Sequence, residues 1–164
     1  MTNVIVLSLV RFLHDAFTAV WIGGMFIQLS VVLPSVKNTL GMGPESKKLV
    51  DVIRTRLSKL AWVCIIGLLI TGILLSNSSP LFTGFLVVSS TYNLLLTLKH
   101  LIIAAMVIIA FMRGFVLPKK MNQSNKTHQK INMLLLIANV ILGLGVLLVS
   151  GSLSAISTIE LTSP

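Results

Sequence analysis

Apolar residues fill four long runs along the chain, and polar residues gather between them. The runs cover residues 4–33, 60–75, 94–117 and 131–149. Three of them reach the roughly 17–25 residues that an α-helix needs to cross a hydrocarbon core. The second run is shorter, but its helix is expected to begin in the amphipathic stretch SKKLVDVIRTRLSKLAW. The pattern predicts an all-α integral membrane protein with helices at about 4–33, 48–76, 92–117 and 129–155.

The polar segments between the runs are short and join neighbouring helices. PSVKNTLGMGPESKK and PKKMNQSNKTHQK have the composition of loops, with Pro34 and Pro118 expected at or just past helix ends. Short connections favour an up-down-up-down four-helix bundle, a single transmembrane domain over residues 1–164. The first run lacks a preceding basic segment and a small-residue cleavage site, so we expect a membrane helix rather than a cleavable signal peptide.

Positive charge is concentrated around two of the three connections. The chain is 55% apolar and 10% charged, with a net charge of +9. Basic residues flank the first and third connections, whereas the second, NSSPLFTGFLVVSST, has no charge. The positive-inside rule therefore predicts that both basic connections are cytoplasmic and both termini lie outside, in a multi-pass protein of the cell membrane. The charge indicates contact with a lipid bilayer, and it does not favour nucleic acid as a partner.

Small and polar residues follow one face of the second and fourth helices. In the second helix these residues are Cys64, Gly67, Thr71 and Ser78. In the fourth helix they are Asn132, Asn139, Gly143, Val146, Ser150 and Ser154. Such residues permit close approach of membrane helices, so both faces are expected to turn inward. The single cysteine excludes an internal disulfide, and the seven methionines are interpreted as core residues rather than a copper path.

Two histidines are predicted at similar heights on the first and third helices. His14 precedes Pro34 by 20 residues, about 30 Å of helix, and His100 precedes Pro118 by 18, about 27 Å. Both imidazoles are therefore expected near the outer boundary, on diagonal helices about 14 Å apart. Two imidazoles that reach inward can share one metal, and haem iron accepts axial histidine. His14 and His100 are thus the candidate metal ligands.

Nearby residues extend this candidate site. Arg11 and Lys99 are the only basic residues of the predicted outer half, and a cationic pair favours the propionates of haem b. Asp15 is a candidate partner of Arg11 or acceptor for an imidazole. Trp21 and Phe111 are candidate lining residues of a haem pocket. Phe111 lies on the predicted inward face of the third helix, which also carries His100 and Ala104. The simpler interpretation is that these polar side chains extend to water at the membrane boundary and that Trp21 belongs to the core.

LHDAFTAVWIGGMFIQLSVVLPS, residues 13–35, resembles the first-helix signature of the copper resistance protein D (CopD) family in His14, Trp21, Gly23 and Gly24. LKHLIIAAMVIIAFMRGFVLP, residues 98–118, is similar to a later helix of that family. The resemblance implies a four-helix membrane module associated with copper handling. Neighbouring protoporphyrinogen-oxidising and b-type cytochrome families imply haem bound by membrane histidines, here His14 and His100.

Three functions follow from these observations. The first is electron transfer by haem b held between the two histidines. The second is copper handling by the same histidines, with Met25 on the same face about 16 Å further in. The third is an accessory subunit of a larger membrane oxidase or copper monooxygenase, docked through the outer loop PLFTGFLVV. No site for a hydrolase or transferase is evident, because the four acidic residues are scattered and His14 and Asp15 point about 100° apart. The oligomeric state is left open.

Overall fold

The computed structural model describes residues 2–41, 43–78, 91–117 and 126–162. Its α-helices are α1 (Thr2–Ile27), α2 (Leu33–Leu40), α3 (Pro44–Asn77), α4 (Thr91–Phe111) and α5 (Lys126–Thr162). Four stretches are long and apolar enough to cross a membrane: Val4–Leu40, Pro44–Asn77, Thr91–Val116 and Gln129–Ile159. The described residues contain no β-strand. The predicted all-α fold with four membrane helices is confirmed.

The first helical stretch continues through Pro34 instead of ending near residue 33. A π-helical turn at Gln28–Val32 joins α1 to α2, and a second one at Met112–Val116 follows α4. Proline has no N–H, and within a helix its ring clashes with the carbonyl four residues back. The wider π-turn just before Pro34 relieves this clash. The stretch ends at Gly41, whose φ of 66° is readily adopted by glycine. Pro118 lies outside the described residues.

In two pairs of neighbouring membrane helices, residues later on one helix contact residues earlier on the other. His14 bonds to Thr71, whereas Phe17, three residues later, packs on Gly67, four residues earlier. Similarly, Arg113 bonds to Asn132 while Met106, earlier on α4, lies beside Gly143, later on α5. Neighbouring helices in each pair are therefore antiparallel, as the short connections predict. The orientation relative to the two sides of a membrane stays a prediction.

Residues of all four membrane helices form one apolar core. Its buried members are Trp21, Ile22, Met25, Cys64, Ile65, Met106, Leu136, Val140 and Val146. Much of the predicted inward face is buried, including Thr71 and Asn139, but Ser78 and Ser154 are exposed. Met25 and Met106 are buried core residues as predicted, whereas Met112 and Met133 are exposed, so the interpretation of all seven methionines as core residues is wrong for these two. Large apolar side chains on the outside of each helix, such as Val63, Ile108 and Leu148, are exposed and suited to lipid.

We name the two ends of the bundle by their side chains. The histidine end contains His14, Thr71, Lys99 and His100. The basic end contains the Gly41 turn, Arg54 and Arg113. The sequence predicts that the histidine end faces outward and the basic end faces the cytoplasm.

Candidate functional site

His14 is held against α3 by a hydrogen bond between helices. Its Nδ1 lies 2.9 Å from the hydroxyl of Thr71, which is only 5% exposed. That hydroxyl donates its proton to the Gly67 carbonyl, 2.7 Å away and one turn earlier on α3. Thr71 Oγ1 therefore accepts the bond from His14, and His14 Nδ1 donates it. This chain of bonds fixes both the orientation and the tautomer of the imidazole.

Glycines on α3 allow α1 to approach closely enough for this bond. The ring of Phe17 lies over Gly67 so tightly that an added Cβ would fall under 3.0 Å from three ring atoms. Gly72 borders the imidazole itself, with His14 Cε1 3.6 Å from the place where a Cβ would stand. Packing against Phe17 therefore explains the glycine at 67. The backbone there is helical, a conformation that any residue can adopt, so backbone geometry does not require glycine.

The tautomer of His14 suits metal coordination. With Nδ1 protonated and donating to Thr71, the lone pair of the neutral ring lies on Nε2. Metal-bound histidines almost always donate their other ring N–H to a nearby acceptor, which orients the ring and raises its basicity. The residue in this role is Thr71, which sequence reasoning assigned to packing only. Asp15, a candidate acceptor from the sequence, is exposed. It follows His14 directly in the helix, so the two side chains point about 100° apart.

Lys99 on α4 lies within electrostatic range of His14. Its ammonium interacts electrostatically with both the His14 imidazole and the Asp15 carboxylate. The sequence predicts that His14 and His100 lie at similar heights, and the interaction of Lys99 with His14 is consistent with that prediction. Lys99 precedes Met106 by seven residues, so the two share a face, and Met106 is completely buried. Lys99 therefore lies on the inward face of α4.

His100 lies on the flank of that face, about 100° from Lys99. It is half-buried, and its Nδ1 is 2.7 Å from the carbonyl of Leu96 on its own helix. A carbonyl only accepts, so His100 Nδ1 donates and the lone pair of the neutral ring again lies on Nε2. The predicted inward face continued from His100 through Ala104 to Phe111, but these last two are exposed. The second half of α4 is instead turned so that Met106 faces the core.

The remaining residues proposed for the site differ in their surroundings. Arg11 is exposed on α1. Trp21 is 4% exposed and belongs to the core, about 10 Å along α1 from His14. Phe111, the other proposed lining residue, packs against Trp62, with ring centroids 6.3 Å apart. The structure therefore places Lys99 within electrostatic range of His14 and Asp15, and it buries Trp21 in the core. Arg11 stays exposed one helical turn before His14.

Few additional metal ligands are present near these histidines. Within the described part of the chain, no three His, Cys, Asp or Glu residues are grouped to hold a metal ion. Cys64, the only cysteine, is 2% exposed in the apolar core. The side chain of His128 and the loop at residues 80–88, which is predicted to lie outside, are not among the described parts of the chain. A site with three or four such ligands is thus not built by the described residues.

Comparison with known proteins gives one result. Residues 52–153 match the family described as copper resistance protein D. The match covers more than half of the chain and includes Thr71, Lys99 and His100, whereas His14 precedes it. No curated protein and no solved structure matches the chain.

Proposed function

The chain belongs to the copper resistance protein D family, and on that premise we propose that it handles copper by binding Cu(I) at the histidine end. The protein has four helices that are long and apolar enough to cross a membrane, and the family is linked to copper resistance. The proposed ligands are His14 and His100, each through Nε2. The observation that carries the proposal is the bond from His14 Nδ1 to Thr71, because it presents a preoriented imidazole.

The available donors favour the cuprous ion over other metals. Imidazole is a suitable ligand for copper, and Cu(I) accepts a low coordination number. Because no larger group of His, Cys, Asp or Glu exists among the described residues, a tetrahedral zinc cage is not supported. His100 has the same tautomer as His14 through its bond to the Leu96 carbonyl. The opposite charges of Lys99 and Asp15 offset each other beside His14, which limits repulsion of a bound cation.

Haem b held by His14 and His100 is the alternative that the sequence predicts. The lone pairs on Nε2 of both rings suit axial ligation equally well. Lys99, near His14, would favour a haem propionate. Neither the family match nor the position of Trp21 supports haem. Electron transfer is therefore the second candidate, and an accessory role in a larger membrane complex is the third.

Metal analysis of the purified protein separates these functions. We expect stoichiometric copper after loading with Cu(I) under anaerobic reducing conditions and dialysis. His14→Ala and His100→Ala should each weaken Cu(I) binding at least about tenfold in competition with a chromogenic chelator. His128→Ala, a histidine of the predicted cytoplasmic loop, is the matched control and should bind like the wild type.

Each other outcome points to a different function. A sharp Soret band that requires both His14 and His100 would establish haem in place of copper. Unchanged copper binding by His100→Ala would overturn the two-histidine site. Purification with large membrane subunits and with neither copper nor haem would favour the accessory role.

A further inference from the structure

A cleft with several polar lining residues lies between the helices toward the basic end, away from the proposed copper ligands. Its volume is about 50 Å³, enough for a few waters or one small polar group. We call it the basic cleft, and all four membrane helices line it. Its polar lining residues are Trp21, Gln28, Arg54, Ser58, Arg113 and Asn139, and no acidic residue lines it.

Two buried side chains of the basic cleft lack hydrogen-bond partners. Asn139 is 0% exposed, and neither its amide nitrogen nor its carbonyl oxygen is bonded within the part of the chain that the structure describes. The indole N–H of Trp21, which is 4% exposed, is in the same situation. Buried polar groups nearly always have a partner. Both side chains line the cleft, so its occupant is the natural partner for them.

The charges around the basic cleft identify the chemistry of that occupant. Arg54 and Arg113 both line it, and their guanidinium groups repel each other. Asp51 pairs with Arg54 at 3.5 Å. Arg113 donates from Nε to Asn132 at 3.1 Å, and among the described residues it has no carboxylate partner. The cleft therefore combines an excess of positive charge with a concentration of N–H donors.

We propose that the basic cleft binds a phosphate group, either free or in the headgroup of an anionic lipid. Guanidinium groups bind phosphate through paired, charge-assisted hydrogen bonds. The Asn139 amide and the Trp21 indole add neutral donors further in. Arg54 precedes the apolar run of α3, which places the mouth at headgroup depth, and basic pockets between membrane helices on the cytoplasmic side bind anionic headgroups. The positive charge of the basic cleft repels cations, so we expect it not to compete for copper with the proposed ligands at the histidine end.

Trp21 provides a direct test, because its indole lines the cleft. In a Trp62→Phe background it is the only tryptophan, since the chain has two. We expect its fluorescence to change saturably when a phosphate group enters. One titration uses inorganic phosphate with the protein in maltoside detergent, and the other uses maltoside micelles mixed with phosphatidylglycerol. Micelles with diacylglycerol, which has no phosphate, are the control.

Substitution of the arginines tests the site itself. Arg113→Gln should weaken phosphate or phosphatidylglycerol binding at least about tenfold, because charge-assisted hydrogen bonds are lost. Arg54→Gln should act in the same direction and serves as the second variant if Arg113→Gln does not fold. Arg56→Gln, on the exposed side of the same helix, removes an equal charge and should leave binding unchanged.

The two titrations distinguish the sources of the phosphate. A response to inorganic phosphate identifies free phosphate as a sufficient ligand, and a response to phosphatidylglycerol alone identifies the lipid headgroup. No response to either, or an equal response to diacylglycerol, would overturn the proposal and leave a cleft that holds water. Binding that persists unchanged in both Arg54→Gln and Arg113→Gln would overturn it as well. Copper binding is measured separately, so failure here does not affect the proposed function.

Discussion

Replacement of Thr71 by Val tests whether the hydrogen bond to His14 serves metal binding. Valine has nearly the same shape, but it cannot accept the 2.9 Å bond from His14 Nδ1. The Thr71 side chain is 5% exposed, so little water is available to replace the lost acceptor. Without it the ring is free to rotate and to exchange tautomers. We therefore expect weaker Cu(I) binding with a largely intact fold.

The expected size of the effect follows from the role of the bond. Loss of an acceptor behind a metal-bound histidine typically weakens metal binding 10–100-fold, which corresponds to about 1.4–2.7 kcal/mol. The cost in stability should be smaller, because hydrogen bonds between membrane helices contribute about 0.6 kcal/mol on average. Thr71→Val should therefore lose Cu(I) affinity by more than it loses stability. A purely structural role predicts the opposite.

The assay is anaerobic competition for Cu(I) with a chromogenic chelator, combined with thermal unfolding in the same detergent. Thr71→Ser keeps a hydroxyl and should restore most of the affinity. Thr18→Val is the matched control, since the Thr18 hydroxyl donates to the His14 backbone carbonyl at 2.9 Å and not to the imidazole. The reasoning is refuted if Thr71→Val binds Cu(I) like the wild type, or if Thr18→Val weakens binding equally.

Two further predictions concern packing and topology. Gly67→Ala should destabilise the protein by about 1–3 kcal/mol, because the new Cβ would overlap the ring of Phe17. Gly145→Ala is its control, since nothing lies within 4 Å of that site, and an equal loss in thermal stability would contradict the contact. In intact cells, an impermeant maleimide should label Ser78→Cys and not Lys47→Cys in a Cys64→Ser background. The reverse labelling would show that the positive-inside prediction is wrong.

Within the candidate site, the sequence proposed His14, Lys99 and His100 but did not indicate which side chains contact them. The spacing from the two prolines predicts that His14 and His100 lie at similar heights, and Lys99, the residue before His100, interacts electrostatically with His14. Thr71 belonged to a face that was expected to pack inward, and it is buried as predicted. What the sequence did not indicate is that Thr71 meets His14, because the two are 57 residues apart and each helix was considered alone.

The rotation of α4 shows why such partners are hard to predict in a membrane protein. The sequence suggested an inward face from His100 to Phe111, whereas Met106 is completely buried and Phe111 is exposed. In a soluble protein, water selects the polar face of a helix. In lipid, the surroundings are as apolar as the core, so hydrophobicity does not fix the rotation of a helix about its axis.

The sequence alone determined the features that depend on local composition. The lengths of the apolar runs predict four membrane helices, and short polar connections require neighbouring helices to be antiparallel. Only the tertiary structure decided which side chains meet. It pairs His14 with Thr71, and it directs Arg54, Arg113 and Asn139 from three helices into one cleft. The physical reason is that steric packing and hydrogen bonding between helices, rather than the exclusion of water, select these contacts.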